Sequence, residues 1–359
     1  MKPSNPAEIL PRLAKGSEVL FLRLRSLGDV VLLTSTMRAL AAWRPDLRIA
    51  AAVEPAYAPV LEGNPDVTEI FRVGRFPGAA ARLAARGFPL VLNQHGGPTS
   101  SLLMAATRAP ARVAWERSQF AFLANVLVPG PEEFFGTGQV HSVEHRITQL
   151  WWIGLPRGPV PAARVYAQPD ALAAVGTLLG RQGVAPEKAY AVLQPGAAFA
   201  TRRWPLENFV PLAHWLAEEC GLAPVLLLGP GERERRAEAA RLFSPQVAIL
   251  EGLDLRQSIA LLRGARLFVG HDTGPTHVAA AAGCPVVEIF GSSAPVHWRP
   301  WATPSRVVLN EFACRPCPGD RCYAFDEPRC ILSVRVEQVK QACRELLEET
   351  DRKDGGREG

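Results

Sequence analysis

The chain has 359 residues, of which 48% are hydrophobic and 21% charged, with a formal net charge of +5. That is enough apolar content for a sizeable core and enough length to favour two domains. Its Lys and Arg form no run dense enough for a nucleic-acid or polybasic lipid patch, and no window approaches the roughly 18 apolar residues of a membrane-spanning helix. Small anionic substrates or an anionic membrane surface remain as partners.

Residues 1–17 read as an N-terminal tail, since "MKPSNPAEILPRLAKGS" mixes prolines and charges and lacks the apolar core of a signal peptide. The chain is therefore expected to be cytoplasmic, and peripheral wherever it meets the inner membrane. In the first half the short apolar runs "VLFLRLR" (19–25), "LRIAAAV" (47–53) and "PLVLN" (89–93) predict strands, and Val30, Leu33, Met37 and Leu40 recur at helical spacing after the first. Four prolines and two glycines in "GLPRGPVPAARVYAQPD" (154–170) interrupt the pattern and mark a linker. The second half repeats the alternation: "AYAVLQPG" (189–196), a helix over 206–220, "APVLLLGPG" (223–231), "ARLFVGHD" (265–272) and "CPVVEIFG" (284–291). Repeated strand-then-helix units predict two doubly wound α/β domains, over 18–165 and 166–333. A final helix over 334–349 carries Val336, Val339, Cys343, Leu346 and Leu347 on one stripe and is expected to pack back on the N-terminal domain. Residues 350–359 are expected to be disordered.

Ligands of open α/β sheets bind beyond the carboxyl ends of the strands, so the loops after each apolar run hold the candidate chemistry. After the first, Arg23 and Arg25 alternate on one strand face and Asp29 follows Gly28 at the start of the helix. Asp29 is either an N-cap or a carboxylate aimed at a ligand. "GHDTGPTHVAAAAG" (270–283) turns through Asp272, Thr273 and Gly274 into a small-residue helix whose first N–H groups suit a phosphate, although a plain cap explains Asp272, Thr273 and Pro275 as well. "QPGAAFATRRWP" (194–205) opens through Gly196 and delivers Arg202 and Arg203 to a strand end. Glu232 after "LLGPG" suits sugar or ribose hydroxyls, or the dipole of a helix first turn. His277 lies one helical turn beyond Gly274 and either meets a phosphate or packs. His95, beside Gly96 and Gly97, ends an N-domain strand where the backbone can approach a ligand closely, although loop geometry alone explains the glycines as well. His141 and His145 are spaced for a metal pair but lack further ligands, and read as structural. Cys314, Cys317, Cys322 and Cys330, in the Cys-rich loop 314–330, have the spacing C-x2-C-x4-C-x7-C. They suit a structural zinc, a set of reduced thiols or a redox-sensitive disulfide. Cys220, Cys284 and Cys343 sit in apolar segments and read as core thiols.

Taken in order, "LRLRSLGDVVLLTSTMRAL" (22–40), "HSVEHRITQLWWIGLP" (141–156), "PGAAFATRRWP" (195–205), "GHDTGPTHVAAAAGCPVVEIFG" (270–291) and "CRPCPGDRCYAFDEPRC" (314–330) resemble glycosyltransferase family nine, the ADP-heptose:lipopolysaccharide heptosyltransferases. The resemblance implies a GT-B fold with acceptor on the N-terminal side and nucleotide-sugar on the C-terminal side. It also implies an inverting transfer with no obligatory metal or cofactor. On that reading Asp29 is the general base, Arg23, Arg25 and His95 serve the acceptor, and Gly196, Arg203, Glu232, Asp272, Thr273, Gly274 and His277 bind the donor. Arg202 stabilises the departing ADP. The family usually carries lysine where Arg202 aligns, and Arg203 is its alternative in that role. The expected function is heptose transfer from ADP-heptose to a lipid-linked lipopolysaccharide inner-core acceptor at the inner membrane face. The alternatives are another nucleotide-sugar or surface-glycan acceptor, or a nucleotide-sugar-binding protein without catalysis. No nucleic-acid partner is expected.

Overall fold

The structure is a computed structural model that describes residues 5–229 and 233–355. It divides into two compact units, Met1–Val165 and Tyr166–Gly359. The first holds β1 (Glu18–Leu22), β2 (Arg48–Val53), β3 (Glu69–Arg72), β4 (Leu90–Asn93), β5 (Ala111–Trp115) and β6 (Val126–Val128) in one sheet of order β3-β2-β1-β4-β5-β6. The second holds β7 (Tyr190–Leu193), β8 (Ala223–Leu228), β9 (Ala248–Glu251), β10 (Leu267–His271), β11 (Val286–Ile289) and β12 (Ser305–Val308), ordered β12-β11-β10-β7-β8-β9. Every pairing is parallel. Numbered from its own first strand, each sheet reads 3-2-1-4-5-6, the doubly wound order expected.

The central strands are mainly apolar because helices cover both faces of a parallel sheet. Val19 to Leu22 of β1 and Ala191 to Leu193 of β7 have no exposed surface. The order reverses between β1 and β4 in the first sheet and between β7 and β10 in the second. Within each sheet the crossovers on either side of that point run to opposite faces, so the carboxyl ends there stay open for ligands.

Three boundary expectations are corrected. Residues 1–17 are no free tail from residue 5 onward: Pro6–Glu8 and Ile9–Arg12 form helical turns, Leu10 is fully buried, and its N–H donates to the Ile153 carbonyl at 3.0 Å. Arg44 fixes the same segment by donating to the carbonyls of Leu10 and Leu13 at 2.8 and 2.9 Å. Gly154 allows the approach, since a Cβ there would lie 2.1 Å from the Ala7 carbonyl oxygen. The last helix, Val336–Gly355, packs within the second unit instead of returning to the first. Its Val339, Ala342, Cys343 and Leu346 join the core that Trp204, Phe209 and Leu212 build. Its stripe matches the apolar face of the Leu206–Glu218 helix and the flank of β11 and β12, which are nearest in space. The helix also runs past residue 350, with the Thr350 hydroxyl donating back to Leu346 at 3.1 Å, so the expected disorder from that point does not hold up to Gly355. Among the described residues no helix is long and apolar enough to cross a membrane.

Leu10→Ala is expected to destabilise the first unit by about 2–5 kcal/mol, the range for a large-to-small core change. Thermal unfolding checks it: an unchanged midpoint would return the segment to the status of a tail.

Candidate active site

In the first unit the chain leaves β1 through Arg23 and enters the Leu27–Trp43 helix, with Asp29 in its first turn. The N-cap reading of Asp29 is corrected: Ser26 is the N-cap, and Asp29 lies three residues on in a capping box, its carboxylate accepting from the Ser26 N–H and hydroxyl at 3.3 and 2.9 Å. Two guanidiniums, Arg23 and Arg146, form ion pairs with the same carboxylate. Burial works to raise the pKa of Asp29, but Arg146, then Arg23, then the Ser26 hydrogen bond outweigh it and hold the carboxyl well below its usual range.

Arg146 was not singled out in the sequence. It lies on the Ser142–Trp152 helix with only 5% of its side chain exposed, and it also donates to the Gln94 carbonyl at 3.3 Å and the Ser142 hydroxyl at 3.2 Å. Burial, then Arg23, lower its pKa to about 10 against the pull of Asp29. The available signal was its position: Val143, Arg146, Ile147 and Leu150 share one helical stripe, and a charge on an apolar stripe needs a buried partner.

The loop after β4 completes this set. Arg23 donates to the Gln94 carbonyl at 2.8 Å, the Gln94 amide donates to Gln149 at 2.9 Å, and the Asn93 side chain accepts from the N–H groups of His95 and Gly96 at 3.2 and 3.0 Å. His95 is drawn to a pKa of about 4 by burial and then by Arg23, partly offset by a hydrogen bond to the Arg25 backbone, so it stays neutral. Arg25 is exposed. His141 and His145 are structural here. His141 accepts from the Val143 N–H at 3.1 Å to cap its helix, and His145 stacks on Trp115 with ring centroids 4.5 Å apart.

In the second unit β7 and β10 release two facing loops. His271 locks them together: its Nε2 accepts from the Trp204 N–H at 3.0 Å, leaving Nδ1 to donate to the Gly196 carbonyl at 3.4 Å. Burial above all brings its pKa to about 4, so the ring is neutral. Arg202 donates to the Asp272 carboxylate at 3.1 Å and its carbonyl at 3.4 Å, and its guanidinium lies 5.7 Å from the Phe199 ring centroid. Arg203 turns back to donate to the Ala197 carbonyl at 2.6 Å. Thr273 occupies the N-cap of the Gly274–Ala282 helix without capping it; its hydroxyl reaches Gln194 and the His271 carbonyl at 3.4 Å instead. The first turn of that helix thus keeps its positive end beside the Arg202 guanidinium, an arrangement suited to an anion. His277 is buried, its ring 6.3 Å from that of Trp298. Glu232 lies outside the described residues.

The four late cysteines are free thiols around one cavity of about 230 Å³, lined also by Tyr323 and Phe325. Among the described residues no three His, Cys, Asp or Glu side chains converge to hold a metal ion. Of the three readings of this cluster, the described residues match free thiols and assemble no zinc ligand set.

The sequence model described as "Glycosyltransferase family 9 (heptosyltransferase)" matches residues 79–324. Lipopolysaccharide heptosyltransferase 3 of Escherichia coli (strain K12) is 26% identical over 349 residues, covering 90% of this chain and 96% of that protein. Among solved structures, the glycosyl transferase family 9 protein of Veillonella parvula DSM 2008 superposes with a TM-score of 0.81 at 20% identity, covering 94% of this chain and 99% of that one. E. coli ADP-heptose lps heptosyltransferase II gives 0.77 at 21% identity, covering 93% and 99%. These likenesses fit the pair of doubly wound sheets to the GT-B class, and with a family match over more than half of its length the chain belongs to glycosyltransferase family 9 and is a glycosyltransferase.

Proposed function

We propose that the enzyme is an inverting heptosyltransferase that moves heptose from ADP-heptose to the inner core of lipopolysaccharide, its second unit taking the donor and its first unit the acceptor. The observation that carries the reading is the Arg202 guanidinium held on the Asp272 turn beside an uncapped helix start, which matches a nucleoside diphosphate in charge and geometry. Arg202 and the helix dipole supply the positive field that stabilises ADP as it leaves, in place of an obligatory metal. Gly196, Arg203, Thr273, Gly274 and His277 form the rest of the donor side. The acceptor is lipid-linked and met at the cytoplasmic membrane face, and its anionic groups face Arg25, Arg23 and the half-buried His95.

Asp29 is the base in this scheme. Its low pKa keeps it ionised at any working pH, and it takes the acceptor proton late, once bonding to the anomeric carbon has made that proton acidic. A member of the family using another nucleotide-sugar would share every feature named so far, so the donor base is the discriminating measurement.

Thermal stabilisation by ADP is expected to exceed that by UDP or GDP, reaching roughly 2.7 kcal/mol at a concentration 100 times the Kd. A UDP preference would count against heptose transfer. Arg202→Ala is expected to lower kcat about 10²-fold or more, while Arg203→Ala costs much less, as steady-state kinetics would show. The reverse order would move the leaving-group role to Arg203. Because the Asp29 pKa is depressed, its carboxylate stays charged as pH falls toward 4, so the pH profile of kcat/KM should show no acid limb from this group above about pH 4. Asp29→Asn should cut kcat by about 10²–10⁴-fold. It also leaves Arg146 buried without its anion, at a cost of about 3–5 kcal/mol, so the rate is to be measured on protein shown by ADP titration to retain its donor site. Near wild-type kcat in that protein would reduce Asp29 to a cap and ion-pair anchor.

A further inference from the structure

A carboxyl group with no part in the scheme above sits under the donor-side turn. Glu288 of β11 has no exposed surface, and neither of its carboxyl oxygens has a hydrogen-bond partner. An ionised carboxylate in that position would cost far more than a neutral one. Burial first, and the charge of Asp272 second, push its pKa well above the ordinary carboxylate range, which favours the protonated acid. That form carries an O–H donor that the carboxylate lacks.

Strand pairing sets Glu288 level with Gly270 of β10. Leu267 and Val269 of β10, with Val287 and Ile289 of β11, face the core built on Trp204 and Phe209. By alternation Glu288 lies on the other face, and Asp272, the first residue beyond β10, is close enough for its charge to act on Glu288. Gly270 brings no side chain of its own, and the Phe268 ring and Gln194 side chain pack over it, 2.7 and 3.4 Å from where a Cβ would sit.

Asp272 is 5% exposed and its ion pair runs to Arg202. A nucleoside diphosphate arriving at the helix start competes for that same guanidinium. As Arg202 turns to the phosphates, a nearly buried Asp272 loses counter-charge and begins to repel the ligand. We propose that Glu288 is a positioning residue of the donor site: a protonated acid that donates its O–H to the Asp272 carboxylate when Arg202 engages the donor's phosphates. The proton stays on Glu288 and no bond to it breaks; only the hydrogen-bond acceptor is gained. The inference rests on the donor-site reading of the previous subsection.

A purely structural role predicts a different outcome, because replacing an unsatisfied buried carboxyl by an apolar side chain is neutral or stabilising and touches no ligand. The test compares wild type, Glu288→Leu and Glu288→Gln by calorimetric titration with ADP and by thermal unfolding. The Leu variant should unfold at the same or a higher temperature yet bind ADP about ten- to a hundred-fold more weakly, the range for one hydrogen bond to a charged group. Glu288→Gln, whose amide can donate, should recover most of that loss, and the defect of the Leu variant in turnover should fall on the donor KM more than on kcat. Equal ADP affinity of wild type and Glu288→Leu overturns the proposal. Should the Leu variant not fold, the infrared spectrum decides: wild type at neutral pH should show the carbonyl band of a protonated carboxyl that is missing in Glu288→Gln, and absence of that band overturns the proposal too. Wild-type protein that binds no nucleoside diphosphate overturns the donor-site reading and this inference together.

Discussion

Right-handed crossover between parallel strands is the constraint from which the rest of the molecule follows. A strand–helix–strand unit can wind outward from the first strand in only one sense on each face, so a sheet covered on both sides must reverse its direction of winding once. In this chain the reversal falls between β1 and β4 and again between β7 and β10. At these two places no connecting helix crosses the carboxyl ends, and the loops that meet there carry the charged and polar residues the core excludes. Arg23, Asp29 and Gln94 gather at one, Gly196, Arg202 and Asp272 at the other. Chemistry collects at these ends because they are where backbone polar groups and charges can remain near water inside an otherwise apolar layer.

Both ends use ion pairs that are nearly buried, and such pairs are poor sources of stability. Taking two charges out of water costs several kcal/mol per ion, and their mutual attraction rarely repays it by a wide margin. Their value lies in geometry. Asp29 holds Arg23 and Arg146 at fixed positions around the Gln94 carbonyl, and Asp272 holds Arg202 against the start of a helix whose Thr273 declines to cap it. A site built this way is already oriented, so an arriving anion need not order two long side chains by itself.

How much of this was legible in the sequence depends on what kind of physical signal each part left. The runs that became β1, β2, β4, β7, β8, β10 and β11 are mainly apolar stretches, the mark of central parallel strands, with Glu288 inside β11 an exception. The strands without a clear run include β3, β9 and β12, which lie at sheet edges, where Glu69, Arg72, Glu251 and Arg306 are tolerated because one flank meets solvent. Asp29, Arg202 and Asp272 were visible because strand-end loops announce themselves by glycine and charge. Arg146 was not, since its role comes from a helix more than a hundred residues away from Asp29 and only the tertiary fold joins them. Leu10 was missed for a similar reason: one leucine among prolines and charges carries no period, and only its docking beside Ile153 makes it core. The cysteine spacing left zinc, reduced thiols and a disulfide all open, because spacing along a loop does not fix where the sulfurs point.

The electrostatics of the first site also bears on what its acceptor must be. If Asp29 takes a proton during transfer, Arg23 and Arg146 lose the one carboxylate they share, and Arg146 in particular cannot turn to water for compensation. The pull of those two guanidiniums outweighs burial, which by itself would raise the Asp29 pKa, and is why that pKa is low before any ligand arrives. An acceptor that brings its own anionic groups to Arg23 and the exposed Arg25 replaces part of the missing charge at the moment of proton transfer, and so raises the effective basicity of Asp29 as it binds. A neutral glycan of the same shape would fill the site and leave the base as weak as it is in the free enzyme. Under the proposed reaction, then, selectivity for an anionic acceptor is a property of the rate as much as of affinity, because Arg23, which faces the acceptor, also sets, together with Arg146, the proton affinity of the carboxylate between them.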